Sequence, residues 1–372
     1  MNIAWVIVVL LILVFIQGVV YSRVGLKRIE YKRTFKQDNA FVGDTIEMTD
    51  EITNRKLLPV PWLRLESKIS PNLIFQSSQQ ETEGDTFHRT LFSLLPYQKI
   101  TRRHQLTCKR RGYYPLHTVS VTTGDVVGFT ETFDSVEAST SITVYPEIVA
   151  VDEIPLPSHS YLGDITVKRW IIEDPFIHAG VREYQEGDPM NAVNWKATAR
   201  TNTLQINKKD FTADHNLMIY VNFDLTEDVR IPIDNEALIE KALSYAASIA
   251  NVTIDQGLAT GFGCNGYFVS PFTNPTEPIK PSIRIEASSS RQQFSYILDT
   301  IAKTKMDRSR NFRGFLQEDI DLGRTNTDIL IFTAILTEKI EAQITKLEQM
   351  GNAVEVVTLD NDAAEMGGAH AS

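Results

Sequence analysis

Cysteine is scarce in this chain. The two present, Cys108 and Cys264, lie far apart and outside any C-x-x-C or Cys/His spacing. That excludes a disulfide framework and a zinc site written in the usual way, and leaves two buried thiols in a reducing compartment as the expectation. The seven histidines are scattered, none of them in H-E-x-x-H. No G-x-x-x-x-G-K-[ST] occurs, so no nucleotide hydrolysis of its own is expected, and no G-x-S-x-G marks a nucleophile elbow. Positive charge is in deficit as well: 37 Lys and Arg stand against 47 Asp and Glu, a net charge of -10. A surface that neutralises phosphates needs a basic face, so nucleic acid is not expected as a partner.

Apolar residues are not scarce. At 42% hydrophobic and 23% charged, 372 residues are enough for two buried cores. Residues 3–20 are almost unbroken apolar sequence, interrupted only by Gln17 and Gly18 and free of charge. As a helix this run spans about 27 Å, close to the hydrocarbon thickness of a bilayer. Trp5 and Tyr21 sit near its two ends, where interfacial aromatics belong. A signal peptide is the rival reading. It lacks support, because no basic region precedes the run and Val19-Val20-Tyr21-Ser22 is a poor cleavage site. Arg23, Lys27, Arg28, Lys32, Arg33 and Lys36 follow at once, whereas the residues ahead of the run carry no Lys or Arg. The positive-inside rule then makes residues 1–22 a single-pass anchor, bilayer-embedded over 3–21, with everything after it in the cytoplasm.

From 35 to 147 the chain reads as short period-two segments broken by turn residues such as Pro59, Pro96, Gly112 and Gly124-Asp125. An antiparallel β-sandwich is the expected fold. Lys109-Arg110-Arg111 reads as a solvated hairpin. Residues 148–179, with Pro155, Pro157 and Pro175, look like a linker. From 180 to 360 continuous apolar strands such as 217–223 and 328–333 alternate with helical stretches such as 236–254 and 338–350. That alternation predicts a mainly parallel, doubly wound sheet whose ligands sit at the carboxyl ends of its strands. Gly261-Phe262-Gly263-Cys264-Asn265-Gly266 matches a dinucleotide fingerprint by letter only. Tyr267-Phe268-Val269-Ser270-Pro271 behind it opens no helix, so a strand and a turn are expected. Residues 361–372 read as a disordered tail.

The densest stretch is 180–208. It holds Arg182-Glu183-Tyr184, then Gly187-Asp188-Pro189, then a helical run from Met190 to Arg200. Asp188 is expected to cap that helix, Asn202 to end it, and Leu204 and Ile206 to begin a strand. Arg182, Glu183, Tyr184, Gly187, Asp188, Trp195 and Arg200 are the candidate motif residues. They offer acids and bases but no nucleophile and no metal, so no enzyme is expected. Glu183 or Asp188 is expected to pair with Arg200 or Lys196, and Trp195 to pack the motif against the sheet. The set then serves as a docking surface.

These blocks, with Asn194-Trp195-Lys196-Ala197 and Ala199-Arg200, resemble the signature of a bacterial family, domain of unknown function 58. Pro61-Trp62-Leu63, Arg110-Arg111-Gly112-Tyr113-Tyr114 and Gly128-Phe129 resemble its N-terminal part. The resemblance implies a von Willebrand factor A-like domain over 180–360. It also implies partnership with a MoxR-type AAA+ ATPase, beside other membrane proteins of one operon, in assembly or envelope maintenance. Such a domain carries a metal-ion-dependent adhesion site, Asp-x-Ser-x-Ser, after its first core strand. Here Asp224, Thr226 and Asp228 fill those places, and Thr333 is followed by Ala334 where a further carboxylate is expected. No cofactor is expected, with Mg²⁺ at a degenerate site as the alternative. Two other functions stay open on the sequence. One is an enzyme using the carboxylates of the Arg182–Asp188 motif, and the other is an outward-facing metal-dependent adhesion module.

Overall fold

A long, mainly apolar run with no proline makes the first element, helix α1, Ile3–Val24. Its stretch Trp5–Val24 is long and apolar enough to cross a membrane. The computed structural model describes residues 3–76, 86–156, 173–184, 193–201, 203–211, 216–227, 231–268 and 280–359. They form a mixed α/β protein of several sheets. The chain divides into two units, Met1–Glu147 and Ile148–Ser372. The tail at 361–372 lies outside the described residues.

In the first unit β1 (Ile29–Phe35), β2 (Asn39–Phe41), β3 (Thr45–Asn54), β4 (Val60–Ile69) and β5 (Leu73–Phe75) precede β6 (Thr86–Leu94), β7 (Lys99–Cys108), β8 (Gly112–Gly124) and β9 (Glu131–Tyr145). They make a four-stranded sheet, β1-β3-β7-β5, and a five-stranded sheet, β2-β9-β8-β4-β6. All pairings are antiparallel except the short β2–β9 ladder. Strict alternation along β3 buries Ile46, Met48, Asp50, Ile52 and Asn54, the face that a period of two predicts. Ile46, Met48 and Leu106 of one sheet pack with Leu116, Ile142 and Val144 of the other, and Ile52 packs with Leu63, Leu65 and Val119. The sheets therefore meet face to face.

A charge sits in the middle of that interface. Asp50 takes two bonds from Arg33, at 2.7 and 3.0 Å, and one from the Tyr31 hydroxyl at 2.7 Å. Arg33 also donates to Ser67 Oγ on the facing sheet at 3.0 Å. Satisfied on every side, the pair fixes how the two sheets approach, whereas an unpaired charge there would be untenable. The basic turn ahead of β8 is less solvated than expected: Arg111 is buried, while Lys109 stays exposed.

The second unit opens on a 3₁₀ turn, Val151–Glu153. β10 (Glu173–Glu183) then pairs antiparallel with β11 (Gln205–Phe211), with α2 (Trp195–Thr201) between them. The linker expected over 148–179 thus ends early, because the first half of this hairpin begins at Glu173.

The main sheet takes β12 (Asn216–Val221), β13 (Ala259–Cys264), β15 (Ile283–Ser288), β17 (Thr327–Thr333) and β18 (Ala353–Thr358) in the order β15-β13-β12-β17-β18. Only β15 runs antiparallel. A two-stranded sheet joins β14 (Gly266–Tyr267) and β16 (Lys305–Arg308). Helix α3 (Glu236–Asp255), capped by Asn235, packs on β12, β13 and β17. Helix α4 (Arg291–Lys303) packs on α3 and β13. On the opposite face, Met218 and Tyr220 pack with α5 (Phe312–Asp321) and α6 (Glu338–Gln349). Burial on both faces is why β12 and β17 read as continuous apolar runs. The glycine-rich stretch from Gly261 is strand β13 and the start of β14, and opens no helix.

Candidate functional site

The expected docking motif is brought together only in part. The backbone of Arg182 pairs with that of Ile206, and Glu183 pairs with Gln205. Tyr184 N–H donates to the Leu204 carbonyl at 2.9 Å. Gly187 and Asp188 lie outside the described residues, as does Asn202. The described helix begins later than expected, at Trp195, and its N-terminus is served by Asn194. The Asn194 side chain accepts from Ala197 N at 2.9 Å, the role expected of Asp188. The packing expected of Trp195 is corrected too: it is 66% exposed. As the first residue of a seven-residue helix it faces outward, and the hairpin closes instead on Val193 and Ile206, both buried and bridged to each other. Arg200 is exposed in the last turn.

A second set of residues converges more tightly, at the carboxyl ends of β12, β13 and β17. Beyond β12 the side chain of Asn222 donates to Thr333 Oγ1 at 2.9 Å, and its Oδ1 accepts from Asp224 N at 2.8 Å. That turn points Asp224 inward, where it is 5% exposed. One carboxylate oxygen accepts from Asn265 Nδ2 at 3.0 Å, and the other accepts from Phe312 N at 2.7 Å. Arg308 Nη1 lies 3.7 Å away. Asn265 also accepts from Phe223 N at 2.8 Å and donates to the Arg310 carbonyl at 3.1 Å. One aspartate and one asparagine thus staple the ends of β12 and β13 to the start of α5. Burial pushes the Asp224 carboxyl above its ordinary value, and the Phe312 amide, Arg308 and Asn265 offset only part of that.

These neighbours do not suit a divalent cation. Both oxygens of Asp224 are used by N–H donors, and the guanidinium of Arg308 already supplies positive charge. Thr333 Oγ1 is engaged by Asn222, Ile335 N and the Ile335 carbonyl. Asp228 lies outside the described residues, and among those described no group of three His, Cys, Asp or Glu could hold an ion. A hard cation asks for several free oxygens, and this arrangement offers hydrogen-bond donors.

Above the staple a pocket of about 140 Å³ opens between the loop after β12 and the loop after β17. Asp224, Thr226 and Glu227 line one side, Thr337, Lys339 and Ile340 the other, with Asn311 and Arg313 from the start of α5. Glu227 and Lys339 face each other across its mouth at 3.5 Å, both mostly exposed. Thr337 and Asn311 cap the two helices that begin here. Of this set the sequence marked only Asp224 and Thr226. Asn265 and Arg308 were missed, although a polar Asn ending an apolar strand was a legible signal.

The protein-family comparison matches residues 180–365 to a family described as "Protein of unknown function DUF58". The chain belongs to the DUF58 family. The matched region takes in the end of β10, all of β11 and the strand-end cluster. The chain is also similar to the uncharacterized protein YeaD of Bacillus subtilis, 24% identical over 318 residues, which are 84% of this chain and 72% of that one. Among solved structures, the CARDB domain of a Pyrococcus furiosus protein shares 14% identity over 31% of this chain and 91% of its own, at a TM-score of 0.22. A non-cellulosomal cohesin from Archaeoglobus fulgidus gives 14% identity over 32% and 91%, also at 0.22. Scores at that level define no common fold.

Proposed function

We propose that this protein is a membrane-anchored binding module, held at the cytoplasmic face, that docks a MoxR-type AAA+ ATPase through a von Willebrand factor A-like domain. The observation that carries this reading is the pocket at the carboxyl edge of the main sheet. In open α/β sheets ligands bind where the strand order reverses, and here the reversal falls between β12 and β17. The pocket opens there. Its deepest acid is consumed by structural bonds, while its rim carries an acid and a base from two different loops. Rim charges of that kind steer a partner and set specificity, and they do no bond-making. Six basic residues between 23 and 36 behind an apolar helix support the cytoplasmic orientation. The work would be assembly or envelope maintenance alongside other membrane proteins of the same operon.

Two measurements test this. A reporter fused after Ser372 should be active only as a cytoplasmic marker, and activity as an exported marker would overturn the orientation. Co-purification with the ATPase should depend on ATP, and nucleotide-blind or absent association would overturn the partnership.

A further inference from the structure

The C-terminal third of α1 is not free of the first unit. Gln17 Nε2 donates to Asp125 Oδ2 at 3.2 Å, and Thr130 Oγ1 donates to the Gly18 carbonyl at 3.5 Å. The Tyr21 hydroxyl donates to the Pro59 carbonyl at 3.2 Å. Lys56 Nζ donates to the Val24 carbonyl at 2.7 Å and also to that of Gly25. The loop 125–130 is therefore level with Gln17 and Gly18, and the loop 55–59 is level with Tyr21 and Val24.

Those levels matter once the helix crosses a bilayer. A span needs about 20 apolar residues, roughly 30 Å at 1.5 Å per residue. The stretch long and apolar enough to cross is Trp5–Val24, so hydrocarbon reaches Ser22, the residue before the first charge, Arg23. Gln17 then lies about 8 Å below the membrane surface on that side, and the loop docked beside it is carried to the same depth.

The composition of the loop fits that position. Val126, Val127 and Phe129 are exposed, Phe129 by 77%, and no charged side chain stands among them. The polar groups at the base are closed on each other. Asp125 is buried and accepts from Thr130 N at 3.0 Å as well as from Gln17, and its carbonyl accepts from Trp62 Nε1 at 3.1 Å. Gly128, at a φ of 84°, allows the tight reversal. A loop that satisfies its own polar groups and turns large apolar side chains outward is suited to a low-dielectric surround. Beside the exit of the helix, Leu57, Leu95 and Tyr97 are exposed as well. Their loops are tied together by Asn54, which donates to the Leu58 and Leu95 carbonyls at 3.0 and 2.9 Å.

We infer that the loop 125–130 is a second membrane contact. Val126, Val127 and Phe129 insert into the acyl-headgroup boundary of the leaflet through which α1 emerges, and Leu57, Leu95 and Tyr97 rest at its surface. The occupant of this patch is lipid, because the anchor that carries the patch brings it to lipid. The sandwich is thereby seated on the bilayer instead of swinging on a tether. This rests on the proposal that α1 spans a membrane.

The test uses the full chain in vesicles of phosphatidylcholine and phosphatidylglycerol, 3:1, some carrying nitroxide on the acyl chain. A fluorophore is attached in turn at Phe129→Cys, Leu10→Cys and Tyr113→Cys; the native Cys108 and Cys264 are buried. Tyr113 stands at the far end of β8, about 36 Å from Gly124 by strand rise. The expected result is strong quenching by the lipid-borne nitroxide at Leu10 and Phe129, with none at Tyr113. Quenching at Leu10 but not Phe129 overturns the inference and leaves the anchor standing. That holds also if Phe129 is shielded from iodide, since a protein neighbour would then be covering it. No quenching at Leu10 removes the anchor, and the inference with it.

Discussion

The carboxylate of Asp224 accepts the backbone N–H of Phe312 at 2.7 Å, so a residue just beyond the first strand of the main sheet also holds the first turn of α5. In the sequence this residue fills only the first place of a degenerate metal site. Its partners make it a structural staple.

Removing the staple strands several groups at once. Asp224→Ala leaves Asn265 Nδ2, Phe312 N–H and the Arg308 guanidinium without their acceptor in a buried site. The expected loss is about 3–5 kcal/mol, measured by urea unfolding of the full chain in detergent. Asp224→Asn keeps the shape and should cost less. A midpoint unmoved by Asp224→Ala would return the residue to the surface.

Trp195 and Ile206 should behave in opposite ways. Trp195 is exposed, so Trp195→Ala should move stability by no more than about 0.5 kcal/mol. Ile206 is buried against Val193, and Ile206→Ala should cost about 2–5 kcal/mol. Thermal unfolding that ranks the two the other way would restore Trp195 as the packing anchor.

The contrast explains what the sequence could and could not give. Period-two burial along β3 and the unbroken apolar runs of β12 and β17 were legible, because each pattern depends only on which face meets a core. The strand from Glu173 was not. Pro175 and a bulged register hide its period, and its partner lies across α2. Trp195 misled because a large aromatic in a motif suggests burial, whereas its place at the start of a short helix decided its direction. Asn265 and Arg308 join Asp224 only through the fold, from positions far along the chain.

Acid should loosen the sandwich before the rest. His88 stacks on Phe75 with ring centres 4.0 Å apart, and burial, with His104 and Arg33 nearby, pulls its pKa down to about 4. The unfolded imidazole titrates near 6.5, so between those values the unfolded chain binds more protons and stability falls as pH drops. The loss should be about 1–2 kcal/mol between pH 7 and 4, allowing for solvent at the ring's open side. Asp50, held well below the usual carboxylate range by Arg33, His104 and Tyr31 against its burial, adds a further loss at lower pH. His88→Gln should flatten the slope above pH 4. A slope unchanged in that variant would assign the acid response elsewhere.

Divalent cations should do little. With Asp224 engaged by Asn265 and Phe312, millimolar Mg²⁺ or Mn²⁺ should leave the unfolding midpoint in place, and a chelator should leave it there too. Micromolar affinity by calorimetry, abolished in Asp224→Asn, would contradict this.

The most direct test of the account is the affinity of the full chain, in lipid nanodiscs, for a MoxR-type ATPase with the pocket's rim charges reversed. Glu227→Lys and Lys339→Glu alter an exposed pair and should leave the unfolding midpoint unchanged. Each should weaken ATP-dependent binding roughly tenfold at low salt, with a smaller difference at high salt. Nucleotide-sensitive binding that both variants retain in full, or no such binding by the unaltered chain, would contradict the assignment of this pocket.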